Sequence, residues 1–206
     1  MFNTATARVG KRPAPEKDAS VKARVLLAGR AEFAARGFEA GSVRTIGERA
    51  GVTAAMVNYY FGGKRALYDA VVAEAQGRLG ERLASALAGG RRGLAGRLAG
   101  AYFDFLAEDH ELQRLLMREV LDGGDGVRAL AKRYVRPLRA LFQQHFGTDE
   151  DALHLAISLF GAVAGYFLYE PVLGAFLDAD PRAPESLARR RRHVLHLAKL
   201  LEEMPR

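Results

Sequence analysis

The sequence predicts an all-α protein, and three observations carry that expectation. Apolar residues recur three and four apart through successive segments, as one face of a helix requires. No segment shows the apolar–polar alternation of a half-buried strand. Glycine or proline punctuates the periodic segments, at Gly37, Gly51, Gly62-Gly63, Gly89-Gly90, Gly123-Gly124 and Pro171. The expected architecture is an N-terminal three-helix helix-turn-helix domain followed by a C-terminal helical domain. The boundaries are residues 1–18 for a basic arm, 19–65 for the helix-turn-helix domain and 66–206 for the rest.

Taken in order, residues 1–18 hold alanines, two prolines and scattered Lys and Arg without periodicity, and read as a disordered arm. Arg8, Lys11, Arg12 and Lys17 there could touch phosphates or a minor groove. Ala19 to Arg36 reads as the first helix, its core side built on Leu26 and Phe33, with Gly37 ending it. The segment SVRTIGERAGVTAAMVNYYFGGK, Ser42 to Lys64, reads as two short helices joined by a tight turn. Val43, Ile46 and Ala50 give the first an apolar face, with Ser42 as its N-cap and Gly51 at its end. Thr53 caps the second, Ala54 to Phe61, and Val52 can staple against Val57.

At helical spacing Val57 centres the buried face of that second helix. Ala54, Tyr60 and Phe61 fall on its side, and Ala55, Met56, Asn58 and Tyr59 fall outside. A methyl, an amide and a phenol on an outward helix suit a major groove. Asn pairs two-pronged with adenine, a methyl meets thymine, and Tyr hydroxyls reach phosphates. Lys64 and Arg65 follow, placed for the DNA backbone.

Downstream, a long helix is expected from Lys64 to Ala88, with Leu67, Val71, Val72, Leu79, Leu83 and Leu87 in its stripe. Further helices are expected over 92–107, 109–121 and 127–146, the last kinked at Pro137. Asp149 to Tyr169 is apolar almost all round and should be buried on several sides. Pro171 stops or bends it, and Pro184 to Met204 forms the last helix.

The stretch AEFAARGFEAGSVRTIGERAGVTAAMVNYYFGGKRALYDAVV resembles the DNA-binding domain of the tetracycline-repressor (TetR) family of transcriptional regulators. The matching features are Phe33, Gly37-Phe38, Ile46, the Ala50-Gly51-Val52 turn, Tyr59-x-Phe61, and Lys64 with Leu67. They span about a third of the chain. The usual tyrosine at 58 is asparagine and the usual histidine at 60 is tyrosine, which bears on base preference. The Asn58 to Lys64 form, with Arg118-Glu119 and Arg136-Pro137-Leu138, resembles the CecR-type branch.

The resemblance implies a cytoplasmic homodimer that binds double-stranded DNA at a palindrome and releases it when a small-molecule effector binds, with repression as the default sign. DNA contacts are expected from Ser42, Arg44, Thr53, Ala54, Ala55, Asn58, Tyr59, Tyr60 and Lys64. Tyr102, Phe103, Met117, Arg118, Tyr134 and Phe142 are candidates for the effector cavity, being aromatic, adaptable or charged on mid-chain helices. The dimer is expected through Leu155, Leu159, Phe160, Gly161, Val163, Gly165 and Phe167, flanked by Leu197. No cofactor is expected.

Charge agrees with this division. Residues 1–65 hold 12 Lys and Arg against 5 Asp and Glu, while the remainder is neutral. A basic reader on a neutral body is the electrostatic footprint of a polyanion-binding module. The chain has no cysteine, which excludes disulfides, thiol catalysis and cysteine zinc sites. No charged segment precedes an apolar one at the N-terminus, so no signal peptide is read. The longest apolar run, 155–169, falls short of the ~20 residues of a membrane span.

Other chemistries find little support. Gly62-Gly63-Lys64-Arg65 lacks phosphate-loop spacing and is a helix junction. His193 and His196 lack an acidic partner nearby in sequence for a metal, and HELQR at 110 lacks the second histidine of a zinc-protease helix. Arg189 to Arg192 is spread round a helix and reads as a solvated rim or a set of partner salt bridges rather than a second DNA site. The rival readings are an architectural DNA binder without sequence preference and, more remotely, an enzyme on a helical scaffold.

Overall fold

The computed structural model describes residues 15–90, 92–122, 128, 131–146 and 150–203. Its elements are α1 (Pro15–Ala40), α2 (Val43–Ala50), α3 (Ala54–Phe61), α4 (Lys64–Leu87), α5 (Leu94–Glu108) and α6 (His110–Asp122). A π-helical turn (Ala131–Val135) leads into α7 (Arg136–Phe146), followed by α8 (Glu150–Leu168), α9 (Glu170–Leu177) and α10 (Pro184–Glu203). The described residues contain no strand.

Residues 15–18 belong to α1 rather than to an arm; Arg8, Lys11 and Arg12 lie outside the described residues. Helix α1 runs on to Ala40, but it breaks at Gly37, whose φ of 75° is left-handed. Pro137 lies where the π-helical turn (Ala131–Val135) passes directly into α7, so the helical run continues through 131–146 and changes its winding just before the proline. The chain stops and bends before Pro171 as expected: α8 ends at Leu168, and α9, a helix not foreseen with Pro171 as its second residue, meets it at 85°.

One continuous core joins the two ends of the chain. Val25, Phe33, Ile46 and Val57 lie in the same cluster as Leu67 and Val71 of α4. The cluster continues through Phe103, Leu106, Leu112 and Leu115 to Val163, Phe167, Val194 and Ala198. A second cluster gathers Ala86, Leu94, Leu98 and Phe142. Its extent follows from the apolar stripes on α4, α5, α6 and α8, which must each face another helix to leave water.

Helix α8 sorts its apolar residues onto two sides. Leu159, Val163 and Phe167 are buried in the chain's own core, which corrects their expected place at a surface shared with a second copy. The outward side holds Ile157, Gly161 and Leu168. Leu155, Phe160 and Gly165 are half-buried. An added Cβ would meet nothing within 4 Å at Gly161, and only Tyr169 Cδ2 at 4.0 Å at Gly165. Tyr169, Val172, Phe176, Leu177, Leu197 and Leu200 add exposed apolar surface on the neighbouring segments. Among the described residues no single helix is long and apolar enough to cross a membrane.

Candidate nucleic-acid interface

The turn between α2 and α3 is built from local hydrogen bonds. Ser42 Oγ accepts from Thr45 N at 3.4 Å, capping α2. Gly51 closes it with φ 67° and donates its N–H to Glu48 O. Thr53 Oγ1 accepts from Met56 N at 3.2 Å, capping α3, and Gly62 ends that helix with φ 81°. Two caps and two left-handed glycines thus set the entry and exit of both helices within a short stretch.

The faces of α3 follow the sequence pattern. Val57 is fully buried, while Ala54, Tyr60 and Phe61 are half-buried. Ala55, Met56, Asn58 and Tyr59 face solvent, Tyr59 at 71 % exposure. Methyl, amide and phenol therefore share one free surface, as major-groove reading requires.

The structure separates the remaining predicted contacts. Ser42 and Thr53 spend their side-chain oxygens on caps. Arg44 is exposed and pairs with Glu48 at 2.9 Å. Tyr60 donates its hydroxyl to Asp18 Oδ1 at 2.7 Å, tying α3 to the start of α1, and this bond to a carboxylate raises the phenol pKa. Lys64 Nζ donates to Glu39 O at 2.8 Å and lies 4.8 Å over the Phe38 ring. Among the described residues the side chains of Asn58 and Tyr59 make no hydrogen bond, whereas Tyr60 and Lys64 brace the module.

Bracing residues were missed in the sequence. Arg24 Nε donates to Ala50 O at 3.0 Å, fixing the end of α2 to α1. Glu32 is buried, accepts from Ser42 N at 3.3 Å and faces Arg36 and Arg49. The two bonds that brace the turn have no local signal, because they span 10 and 26 residues of the chain.

The effector candidates do not form one group. Tyr102 rests on Phe160 with ring centroids 5.5 Å apart, and burial pushes its phenol up to about 12. Phe103 is buried against Phe167 at 5.2 Å, and Met117 is half-buried against the same core. Phe142 belongs to the second cluster, with Leu94 and Leu98. Arg118 turns toward α1, donating to Ala35 O at 3.3 Å. The side chain of Tyr134 lies outside the described residues. Between α4, α5 and α10 an open groove of about 650 Å³ is lined by Arg82, Arg97 and Arg191 with Asp104 and Glu108. Its cations are engaged: Arg191 grips Asp104 two-pronged at 2.7 and 2.9 Å, Arg82 pairs with Glu108, and Arg97 donates to Ala86 O at 2.9 Å.

Residues 25–71 match the N-terminal domain of the tetR family of bacterial regulatory proteins. That family comprises transcription regulators, not enzymes. No curated protein matches. A TetR-like transcriptional regulator from Rhodococcus sp. RHA1 superposes with a TM-score of 0.69 at 21 % identity, over 94 % of this chain and 100 % of that one. FadR from Bacillus subtilis, in complex with stearoyl-CoA, gives 0.65 at 19 %, over 85 % and 96 %. A TetR-family regulator from Mesorhizobium loti gives 0.61 at 20 %, over 90 % and 96 %. The chain thus has the TetR regulator fold along its described length.

Proposed function

We propose that the chain is a homodimeric transcriptional regulator whose α3 reads a palindromic operator and whose C-terminal helices bind a small-molecule effector that releases DNA. The observation that carries this reading is the free surface of α3, where Ala55, Asn58 and Tyr59 stand exposed on a helix capped at both ends. The basic excess of residues 1–65 supports it, as does the family match over residues 25–71. Residues 19–65 would be the reader, and 66–206 the effector and dimer domain. The sign is repression.

A single eight-residue helix reads few base pairs, so specificity calls for two readers about one DNA turn, ~34 Å, apart. A self-complementary surface is then needed. The outward side of α8 with Leu197 and Leu200 of α10 supplies one. It is apolar, and it would let a partner helix approach at Gly161, where an added Cβ meets nothing within 4 Å, and beside Gly165, next to Tyr169. The effector would be apolar or amphipathic, matched to the aromatic interior around Tyr102, Phe103 and Phe160. FadR bound to stearoyl-CoA is a precedent for such a ligand on this fold. The CecR-type resemblance draws no support from the family match or the neighbours and forms no part of this reading.

Selection from a random-sequence duplex pool tests the reading. The purified protein should enrich paired inverted half-sites at least ~10³-fold over random DNA. Asn58→Ala should cost ~1–3 kcal/mol of discrimination at one or two positions per half-site. An unstructured pool after selection would favour the architectural alternative. An unchanged base preference in the variant would remove Asn58 from the reading surface.

A further inference from the structure

Helix α6 lies along the second half of α1 and bonds to it from both of its own ends. At the start of α6, Arg30 of α1 donates to Glu111 Oε2 at 3.0 Å and to Asp109 Oδ2 at 3.2 Å. Asp109 also takes Arg78 of α4 at 3.3 Å and caps α6 by accepting from Leu112 N at 3.1 Å. Near the end of α6 two consecutive residues grip the reading module. Arg118 Nη2 donates to Ala35 O at 3.3 Å, just before the break in α1. Glu119 accepts the hydroxyl of Tyr68, on α4.

The break at Gly37 explains why Arg118 is there. A helix that ends leaves its last carbonyls without amide partners and with negative partial charge. The guanidinium meets that end, and it comes so close that a Cβ on Gly37 would sit 3.1 Å from Nη1. Glu119 reaches the other support of the module. The Tyr68 ring packs edge-on against Phe33 at 5.0 Å and Phe38 at 5.1 Å. Phe38 belongs to the turn that also receives Lys64 and Arg65. One short stretch of α6 therefore holds both helices, α1 and α4, from which α2 and α3 hang.

We propose that Arg118 and Glu119 form a clasp that sets the orientation of the reading module on the C-terminal body, and through it the half-site spacing that the dimer accepts. This rests on the dimeric reading proposed above. These are positioning residues: neither lies on α3, and neither would touch DNA. Each base pair added between half-sites displaces a reader by ~3.4 Å and turns it by roughly 35°. A module held at α1 and α4 together cannot follow that turn, whereas one released by α6 can.

The two roles open to the clasp, holding the fold and holding the angle, are separable by magnitude. Partly exposed polar contacts contribute little to stability, so losing them should lower the melting temperature by no more than about 4 °C. The test uses the full-length protein and duplexes carrying its selected half-sites, with the spacer lengthened or shortened by one and two base pairs. Wild-type protein should lose about tenfold or more in affinity per base pair of change. The double variant Arg118→Ala with Glu119→Gln should lose less than about threefold, with its half-site base preference unchanged. Arg118→Lys alone, which still offers a donor to Ala35 O, should retain most of the discrimination. The clasp is overturned if the double variant keeps wild-type spacing dependence. It is also overturned if base preference and melting temperature fall together, since the residues would then only hold the fold. Wild-type protein that selects no paired half-sites would instead remove the dimeric reading, and the spacing role with it.

Discussion

Helices α2 and α3 and helices α8 and α10 are held in place by information at different distances along the chain. The reading pair takes its ends from neighbours: Ser42 bonds Thr45, Thr53 bonds Met56, and Gly51 and Gly62 turn left-handed. The C-terminal pair is anchored from far away. Arg191 holds Asp104 across 87 residues, Arg190 donates to Ala162 O at 2.6 Å, and Tyr166 donates to Pro181 O at 2.7 Å. The lesson is physical. Local caps can preform a turn before the core closes, whereas the C-terminal face takes shape only when the whole body is packed. A reader built this way can keep its shape while the body beneath it changes.

The largest effect should come from separating the two regions. Gly165→Arg puts a long cation on half-buried α8 backbone beside Tyr169, whose Cδ2, 4.0 Å from an added Cβ, is the sole atom of the described residues that it meets. The protomer should stay soluble and helical, sediment as a monomer and lose paired-site binding, with weak half-site binding left. A variant that sediments as a dimer and binds normally would place the interface elsewhere.

A smaller effect sharpens the local side of the comparison. Thr53→Ala removes the oxygen that accepts from Met56 N. It should cost about 1 kcal/mol, seen as faster hydrogen exchange at the start of α3. The amides of α8 and α10 should be unaffected. Equal acceleration in both regions would show that the reader has no local independence.

The smallest effect lies in the body and appears only in alkali. Burial raises Tyr102 from 10.0 to about 12 in the folded chain, so the neutral phenol is favoured there. Its contribution to stability is fully present below the unfolded value and is lost as pH rises through 10 toward 12. An ultraviolet titration of wild type against Tyr102→Phe should show one late-titrating phenol missing in the variant. If both proteins titrate alike, Tyr102 is not the buried phenol.

How much was legible in the sequence follows from the same contrast. The inward and outward sides of α3 came out residue by residue, because one buried Val57 sets the phase of a short amphipathic helix. In α8 apolar residues fall all round, so the pattern carries no phase. Leu159, Val163 and Phe167 could not be told from Ile157 and Leu168 without the packing. Pro171 reads as a stop or a bend, and the chain does both there, but the same proline also opens a further helix, α9. Proline marks a boundary without saying on which side the helix lies. The bracing roles of Glu32, Arg24 and Glu119 have no signal in the sequence, because they depend on partners distant along the chain.

The close approach at Gly37 has a consequence for how this chain can drift through evolution. A side chain at position 37 meets two separate obstacles, the left-handed backbone and the guanidinium of Arg118. Losing Arg118 removes only the second. Dependence between the two positions should therefore run one way. Relatives lacking arginine at 118 should still carry glycine at 37, while relatives with a bulky residue at 37 should lack arginine at 118. Covariation between these columns would be lopsided, with the helix break the less negotiable of the two.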